Sequence, residues 1–322
     1  MSGSWKEARR LLCVRLDGVG NVLLATPAIR ALRESIDSCR VSLLALPPGA
    51  DAGRLIPEID DVYEYSSDER ALIARLGERD FDAAVIFTLH GQSPAGAATL
   101  CKRAGIRLRL AHSRDDAGGL LTDWLPEPGS RPRHEVRRQL DLAASVGCRT
   151  TDVRLSFAVP PGVRRRMRRQ LRAYGSPLVV VHPGAGAGVR SYPPESLALA
   201  VDLLAEQTGC EALFVGAAED AALVETVRNA TRQPSRALSG LTLAEFGAVV
   251  AEADLLVSNE SGPAHIAAAL GTPVVDVYAL GNPQYSPWQV RSRVLCDVYD
   301  EARRVAPEKV AEAARALLEI GA

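Results

Sequence analysis

The sequence predicts an α/β protein with two doubly wound parallel-sheet domains. Short apolar runs rich in valine, isoleucine and leucine alternate with longer segments of helical period, as in strands covered by helices on both faces. The pattern occurs in both halves of the chain, and 322 residues suffice for two domains, each with its own core. We therefore expect two similar domains in tandem.

Each half contains four candidate strands separated by helical segments. The strands predicted for the first half are 11–16, 41–46, 83–89 and 106–111. Those predicted for the second half are 178–181, 212–215, 255–258 and 274–278. Helices are predicted near 194–208, 219–230, 242–252 and 263–270.

A change of sequence character marks the predicted domain boundary. The proline-rich stretch 159–162 precedes an arginine-rich run at 164–169, which we interpret as a solvated helix face. The predicted domains are residues 1–160 and 161–322, and the last helix is a candidate to pack back on the N-terminal domain. Because open α/β sheets bind ligands outside the carboxyl ends of their strands, we expect a cleft between the domains, lined by loops that follow strands.

Composition excludes several classes of function. The formal net charge is −1, so no bulk field attracts nucleic acid or an anionic membrane. The six cysteines lie far apart, without the spacing of a zinc site or a disulfide scaffold. No apolar segment matches a signal peptide or a membrane span, so a cytoplasmic protein is expected.

The first candidate loop follows the first strand and covers residues 15–21. Gly18 and Gly20 begin a dinucleotide-type fingerprint, but Leu23 stands where its third glycine would be, so a nicotinamide cofactor is not favoured. The loop is either a tight turn that uses glycine for unusual backbone angles or a ligand loop that presents N–H groups and Asp17.

The second candidate loop follows the strand at 178–181. Gly184, Gly186 and Gly188 allow the main chain to approach a ligand closely, and Arg190 ends the loop with a planar donor fork suited to phosphate. Such loops also serve as plain connections, so this pattern alone is weak.

The third candidate loop is the most informative. It runs from Ser258 to His265, with Pro263 at the start of a small-residue helix that ends at Gly271. The N–H groups of Ser261, Gly262 and Ala264 are predicted to point out of this helix N-terminus, which suits a diphosphate. His265 would add a donor or would be a structural histidine.

None of the three loops carries an Asp-x-Asp triplet, the usual carboxylate pair that presents Mg²⁺ to a sugar nucleotide. Charge on a leaving diphosphate would then be neutralised by the helix N-terminus and Arg190. A metal-independent site is expected.

Four segments together resemble the heptosyltransferase family, glycosyltransferase family 9. They occur in the family's order, and the last is the most specific. The segments are 14–32, 134–140, 182–193 and 260–273.

The resemblance implies a GT-B fold, with two Rossmann-like domains facing across a cleft. It also implies an inverting, metal-independent glycosyltransferase that needs no cofactor and moves heptose, or a related sugar, from ADP-heptose to a hydroxyl of the lipopolysaccharide inner core. The N-terminal domain would bind the acceptor and the C-terminal domain the donor. Arg190 would hold the phosphates, Glu219 the ribose, and Leu241 would lie beside the adenine. The implied donor contacts are His182, Gly184, Gly186, Arg190, Glu219, Leu241, Glu260, Ser261, Gly262, Pro263 and His265.

Two residues depart from the family pattern. The family usually has Gly-Asp in the first loop, with the aspartate as general base, whereas this chain has Gly20-Asn21, and a carboxamide cannot accept a proton at neutral pH. We favour Asp17 as the base. His90 is second, or else a plain loop histidine, and Asn21 would orient the acceptor. Glu260 replaces the usual aspartate, which suggests a shifted or different sugar.

These departures keep two other functions open. The acceptor would be a small metabolite if the chain serves natural-product glycosylation. Alternatively, the chain is a catalytically silent sugar-nucleotide-binding protein that has lost its base.

Overall fold

The structure, a computed structural model, describes residues 4–127, 133–172, 177–184, 192–259, 261–278, 283–297 and 301–319. The chain divides into two units, Met1–Phe157 and Ala158–Ala322. Each unit contains a six-stranded parallel sheet with helices, which confirms the predicted α/β class.

The first unit has its strands in the order β3-β2-β1-β4-β5-β6, all parallel. Its elements are β1 (Arg10–Arg15), α1 (Val19–Ser35), β2 (Arg40–Ala45), α2 (Pro47–Gly53), β3 (Asp61–Glu64), α3 (Glu69–Gly77), β4 (Ala83–Ile86), α4 (Ala95–Arg103), β5 (Leu108–His112), β6 (Asp123–Leu125) and α5 (Glu135–Ser145).

The second unit has the order β12-β11-β10-β7-β8-β9, again parallel. Its elements are α6 (Pro161–Leu171), β7 (Leu178–His182), α7 (Pro194–Thr208), β8 (Glu211–Val215), α8 (Ala221–Ala230), β9 (Ser235–Leu238), α9 (Leu243–Val250), β10 (Leu255–Asn259), α10 (Gly262–Leu270), β11 (Val274–Tyr278), β12 (Ser292–Cys296) and α11 (Pro307–Glu319). The last helix, α11, packs against α7 and the sheet of its own unit.

The eight predicted strands are all present in the interior of the two sheets. The four strands that sequence reasoning missed, β3, β6, β9 and β12, are the outermost strands of the two sheets. An edge strand is covered less and needs no continuous apolar run, and β6 and β12 have no fully buried residue.

Each sheet has one reversal point, where successive strands stop being added on one side of the first strand and are added on its other side. In the first unit the reversal lies between β1 and β4, and in the second it lies between β7 and β10. Loops leaving two such neighbours diverge to opposite sides, which opens a crevice at the carboxyl ends of the strands. The three candidate loops of the sequence follow β1, β7 and β10.

The helix after the first loop begins earlier than predicted. Helix α1 starts at Val19 rather than near Val22, with Gly18 as its N-cap, so Asn21 lies in its first turn. Pro27 lies inside α1 and has no N–H to offer the carbonyl of Leu23, and the Thr26 hydroxyl donates to that carbonyl instead at 2.7 Å. The helix therefore continues through its proline.

Within the described ranges, no helix is long and apolar enough to cross a membrane.

Gly49 on α2 lies in close contact with the backbone of the first candidate loop. A Cβ atom at this position would lie 2.6 Å from the backbone oxygen of Asp17 and 3.0 Å from Val22 Cγ2. The loop that carries Asp17 therefore packs directly on the surface of α2, where only hydrogen fits.

We predict that Gly49→Ala lowers the free energy of unfolding by about 1–3 kcal/mol, because backbone must move to admit the methyl group. Urea denaturation measures the change. Gly96→Ala on α4 is the control, since its Cβ meets nothing within 4 Å, and it should be neutral or slightly stabilising. Equal losses for the two variants would contradict the close approach.

Candidate functional site

A buried arginine occupies the carboxyl end of β1. Arg15 is fully buried, and its Nε lies 2.8 Å from Asp17 Oδ2 while its Nη1 donates to Glu135 Oε1 at 3.1 Å. A buried guanidinium is costly unless carboxylates surround it. The first candidate loop is thereby tied to the start of α5, 120 residues away in the chain.

The start of α5 carries a second buried arginine. Arg138 donates to Glu127 Oε2 at 2.9 Å through Nε, and its Nη1 lies 3.5 Å from Glu135 Oε1. It also donates to the backbone oxygen of Thr88, which follows β4. The network therefore joins the ends of β1 and β4, the two strands at the reversal point of this sheet.

Asp17 is a partly exposed carboxylate with a raised pKa. Burial raises the pKa of its carboxyl, Arg15 opposes this shift, and the negative charge of Glu135 adds to it. Its side chain is 14% exposed, so a reacting molecule can reach it. Its Oδ2 is ion-paired with Arg15 Nε, and among the described residues no hydrogen bond or ion pair engages its other oxygen, Oδ1.

The other two candidates of the first unit lie near the same edge. His90 is half-exposed after β4, with Nδ1 3.3 Å from Glu127 Oε2, so it belongs to the same network. Asn21 is half-buried in the first turn of α1. The sequence-predicted base candidates Asp17 and His90 are therefore both linked to the arginine network.

In the second unit the reversal point centres on His182, the last residue of β7. Its Nδ1 lies 3.2 Å from the backbone oxygen of Gly184, and its Nε2 lies 3.6 Å from Asp220 Oδ2. The ring packs edge-on against Phe246 of α9 at 5.7 Å between centroids. The interaction with His182 lowers the pKa of the Asp220 carboxyl, so this carboxyl stays ionised at neutral pH.

The loops after β7 and β10 are joined by a buried hydrogen bond. Asn259 ends β10 and donates from Nδ2 to the backbone oxygen of Pro183 at 2.7 Å. Ser261 in turn donates from its hydroxyl to the backbone oxygen of Asn259 at 2.8 Å. The second and third loops predicted from the sequence therefore lie side by side.

Two glycines in this region allow close approach. A Cβ on Gly184 would lie 2.7 Å from His182 Cε1 and 2.9 Å from Asp220 Oδ1. A Cβ on Gly216, which follows β8, would lie 2.7 Å from Asp220 Cβ. The backbone thus packs against the His182–Asp220 pair from two sides.

Helix α10 begins as the sequence predicts, with Ser261 as N-cap and Pro263 in its first turn. Among the described residues no side chain caps this end. The expectation for Ala264 was wrong, because its N–H donates to the backbone oxygen of Ser261 at 3.3 Å instead of pointing outward. His265 is buried one turn in.

The remaining candidate donor-binding residues differ in their exposure to solvent. Leu241 is half-buried just before α9, and Glu219 is exposed just before α8. Gly186, Arg190 and Glu260 lie outside the described residues.

Sequence reasoning missed three charged residues, Arg15, Glu135 and Asp220. Arg15 closes an otherwise apolar strand, and a charge at the end of a buried strand is the signal that could have found it. Asp220 is the neighbour of the predicted Glu219 and was overlooked because the resemblance pointed to Glu219. Glu135 lies in the segment 134–140 that resembles the family, but the resemblance implied no role for it, and its partner Arg15 lies far away in the chain.

The chain's one Asp-x-Asp triplet lies away from these loops. Asp82 of the triplet 80–82 precedes β4 and accepts hydrogen bonds from the backbone N–H groups of Arg9 and Arg10 at 2.8 and 3.0 Å. This is the amino end of the sheet, where Asp82 connects the start of β4 to the start of β1. Across the described ranges, no three His, Cys, Asp or Glu side chains are grouped as a metal site.

Comparison with known proteins identifies similar chains. The family model described as glycosyltransferase family 9 (heptosyltransferase) matches residues 69–313. Lipopolysaccharide heptosyltransferase 3 of Escherichia coli K12 is 26% identical over 290 residues, which cover 84% of this chain and 82% of that protein.

Two solved structures from E. coli share the fold. ADP-heptose lipopolysaccharide heptosyltransferase II has a TM-score of 0.81 at 22% identity, covering 97% of this chain and 99% of that one. Heptosyltransferase WaaC, solved with ADP-2-deoxy-2-fluoro heptose, has a TM-score of 0.75 at 17% identity, covering 97% and 100%. These matches confirm the fold class inferred from the resemblance.

The Asn259 contact yields a pH-dependent prediction. Asn259→Asp replaces a buried donor with a carboxylate that faces the oxygen of Pro183, so the variant should lose about 3 kcal/mol of unfolding free energy at pH 8. Burial raises the pKa of such a carboxyl above its unfolded value, so stability returns as the pH falls and the protonated acid again donates. Chemical denaturation at pH 8 and pH 5 measures both effects.

Asn229→Asp is the matched control, because Asn229 is exposed near the end of α8. It should show neither the loss nor the recovery. An Asn259→Asp variant as stable as this control at pH 8 would mean that the two loops are not joined as described.

Proposed function

The chain belongs to glycosyltransferase family 9, the heptosyltransferases, and on this premise we propose that it transfers heptose, or a related sugar, from ADP-heptose to a hydroxyl group, with inversion and without a metal ion. The chain is a glycosyltransferase, as its family and curated relatives are. The donor, the acceptor and the assignment of site residues are part of the proposal.

The donor is proposed to bind at the reversal point of the second unit. The WaaC structures similar to this chain contain ADP and ADP-2-deoxy-2-fluoro heptose. Helix α10 offers an N-terminus without a side-chain cap among the described residues, and His182 and Gly184 lie beside it through the Asn259 contact. The N-terminus of a helix carries partial positive charge and favours a diphosphate.

The leaving group requires charge stabilisation. Breaking the bond between the anomeric carbon and the diphosphate oxygen leaves the electron pair on ADP. We assign its stabilisation to the N–H groups at the start of α10, to His265 and to Arg190. Glu219 would contact the ribose, Leu241 the adenine and Glu260 the sugar.

The base is proposed to be Asp17, and one observation carries this assignment. Its carboxylate is mostly buried at the end of β1, with its pKa raised, yet it keeps a partly exposed surface. It would take the proton of the acceptor hydroxyl as that oxygen attacks the anomeric carbon. Asn21, which follows Asp17 and lies in the first turn of α1, would orient the acceptor. His90 is the alternative base.

The acceptor is proposed to be a hydroxyl of the lipopolysaccharide inner core, because the similar curated proteins are named lipopolysaccharide heptosyltransferases. A small-metabolite acceptor is the alternative, since Asn21 and Glu260 depart from the family pattern. Incubation with ADP-heptose and each acceptor class, followed by mass spectrometry, distinguishes them. Product from the metabolite alone would overturn the lipopolysaccharide assignment.

We predict that ADP-heptose raises the thermal unfolding midpoint more than UDP- or GDP-sugars at equal concentration. A ligand at 100 times its dissociation constant stabilises the folded state by about 2.7 kcal/mol. Differential scanning fluorimetry with ADP-, UDP- and GDP-sugars measures this directly. A larger shift with a UDP-sugar would contradict adenine as the donor base.

We predict that Asp17→Ala reduces turnover by at least about 100-fold, because a general base contributes about this much, while ADP affinity stays nearly unchanged. In the unmodified enzyme, turnover should fall as the pH drops through the pKa of Asp17, since only the ionised carboxylate accepts a proton. Steady-state kinetics from pH 4 to 8 and calorimetry with ADP measure the two quantities.

Asp51→Asn is the control, since Asp51 is an exposed carboxylate of α2 in the same unit. It should leave turnover unchanged. Full activity in Asp17→Ala would remove Asp17 as the base. ADP binding without ADP release for any acceptor, in the unmodified protein, would favour the silent binding protein.

A further inference from the structure

We propose that Glu135 is a positioning residue for Asp17 and acts on it through the buried guanidinium of Arg15. The inference rests on the proposed function only in taking Asp17 as the base. It adds a residue from α5, more than one hundred positions away in the chain, to the control of that base.

Arg15 is shared between two carboxylates. Its Nε lies 2.8 Å from Asp17 Oδ2, and its Nη1 lies 3.1 Å from Glu135 Oε1. Among the described residues Nε and Nη2 have no aligned hydrogen-bond acceptor, so Asp17 is held by an ion pair rather than by a directed hydrogen bond. The guanidinium of Arg15 donates its well-aligned hydrogen bond to Glu135. Glu135 therefore sets the orientation of the guanidinium.

Glu135 is itself held in place. Its Oε1 also accepts from Gln139 Nε2 at 2.6 Å and lies 3.5 Å from Arg138 Nη1. Its side chain is 1% exposed. A carboxylate this enclosed has no alternative position, so it is a fixed anchor for Arg15.

The charges facing Asp17 act in opposite directions. Arg15 on β1 lowers the pKa of the Asp17 carboxyl, whereas Glu135 on α5 raises it. Helix α2, which also packs against this loop, presents Gly49 at the contact and no charge there. Without Glu135 its opposition to the charge of Arg15 would be lost, which would strengthen the existing ion pair, lower the pKa of Asp17 and weaken it as a base.

The test is Glu135→Gln, which keeps the size and one acceptor oxygen but removes the charge. We expect kcat to fall about tenfold and the acid limb of the kcat profile to move to lower pH by about half a unit to one unit. KM for the sugar nucleotide should stay within about twofold, since Glu135 has no role in donor binding. A loss of kcat with an unmoved acid limb would overturn the proposal.

A matched control separates charge from folding. Glu58→Gln removes another mostly buried carboxylate of the same unit, paired with Arg30 of α1 at 2.7 Å and without contact to Arg15. Glu58→Gln should lower the thermal unfolding midpoint about as much as Glu135→Gln does, while leaving the acid limb of the kcat profile in place. An equal shift of the acid limb in both variants would make the effect a general consequence of lost stability.

A second readout needs no substrate. The ¹³Cγ resonance of Asp17, identified by its disappearance in Asp17→Asn, should titrate at lower pH in Glu135→Gln than in the unmodified protein. If this titration shifts but no acceptor supports turnover, the positioning stands and the proposed function fails. An unshifted titration overturns the positioning even in an active enzyme.

Glu135→Asp keeps the charge but moves it back by one methylene. This variant replaces Glu135→Gln in the test if Glu135→Gln does not fold. It should shift the ¹³Cγ titration in the same direction by a smaller amount. A titration identical to that of the unmodified protein would contradict the proposal.

Discussion

Two fully enclosed guanidinium groups at the carboxyl edge of the first sheet can persist only if carboxylates lie within contact distance. Removing an ion from water costs several kcal/mol, and removing one partner of a buried pair costs about 3–5 kcal/mol. Arg15 and Arg138 meet this requirement with Asp17, Glu127 and Glu135. The need to pair these charges holds α5 against the ends of β1 and β4, so the position of the first loop follows from it.

The charged groups at the carboxyl edges of the two sheets differ. The first network contains two arginines and three carboxylates, so its excess charge is negative and suits the acceptance of a proton rather than a diphosphate. The second unit instead combines a helix N-terminus with a histidine and a buried asparagine. The proposed donor site therefore combines these anion-favouring groups with the ionised carboxylate of Asp220, whereas the proposed base lies among an excess of carboxylates.

The interior of the fold could be predicted from sequence because both faces of a central parallel strand are buried, which gives a continuous apolar run. Edge strands such as β12, with Arg293 and Val294 exposed, have no such run and were missed. Of the site, Asp17, His182 and Ser261 could be predicted because strand ends and glycine loops are local signals. Glu135 and Asp220 could not, because their partners are set by strand order, which brings distant segments together only after folding.

In the proposed reaction a nucleotide binds at the reversal point of the second sheet, while the first sheet supplies the base. Amide chemical-shift mapping during an ADP titration of the full chain distinguishes these two sites. We predict that the largest changes fall on residues 182–184, 216–220 and 261–265, with little change at 15–21 or 88–91. The largest changes at 15–21 would instead place the nucleotide beside the carboxylates of the first unit and exclude the second sheet as the donor site.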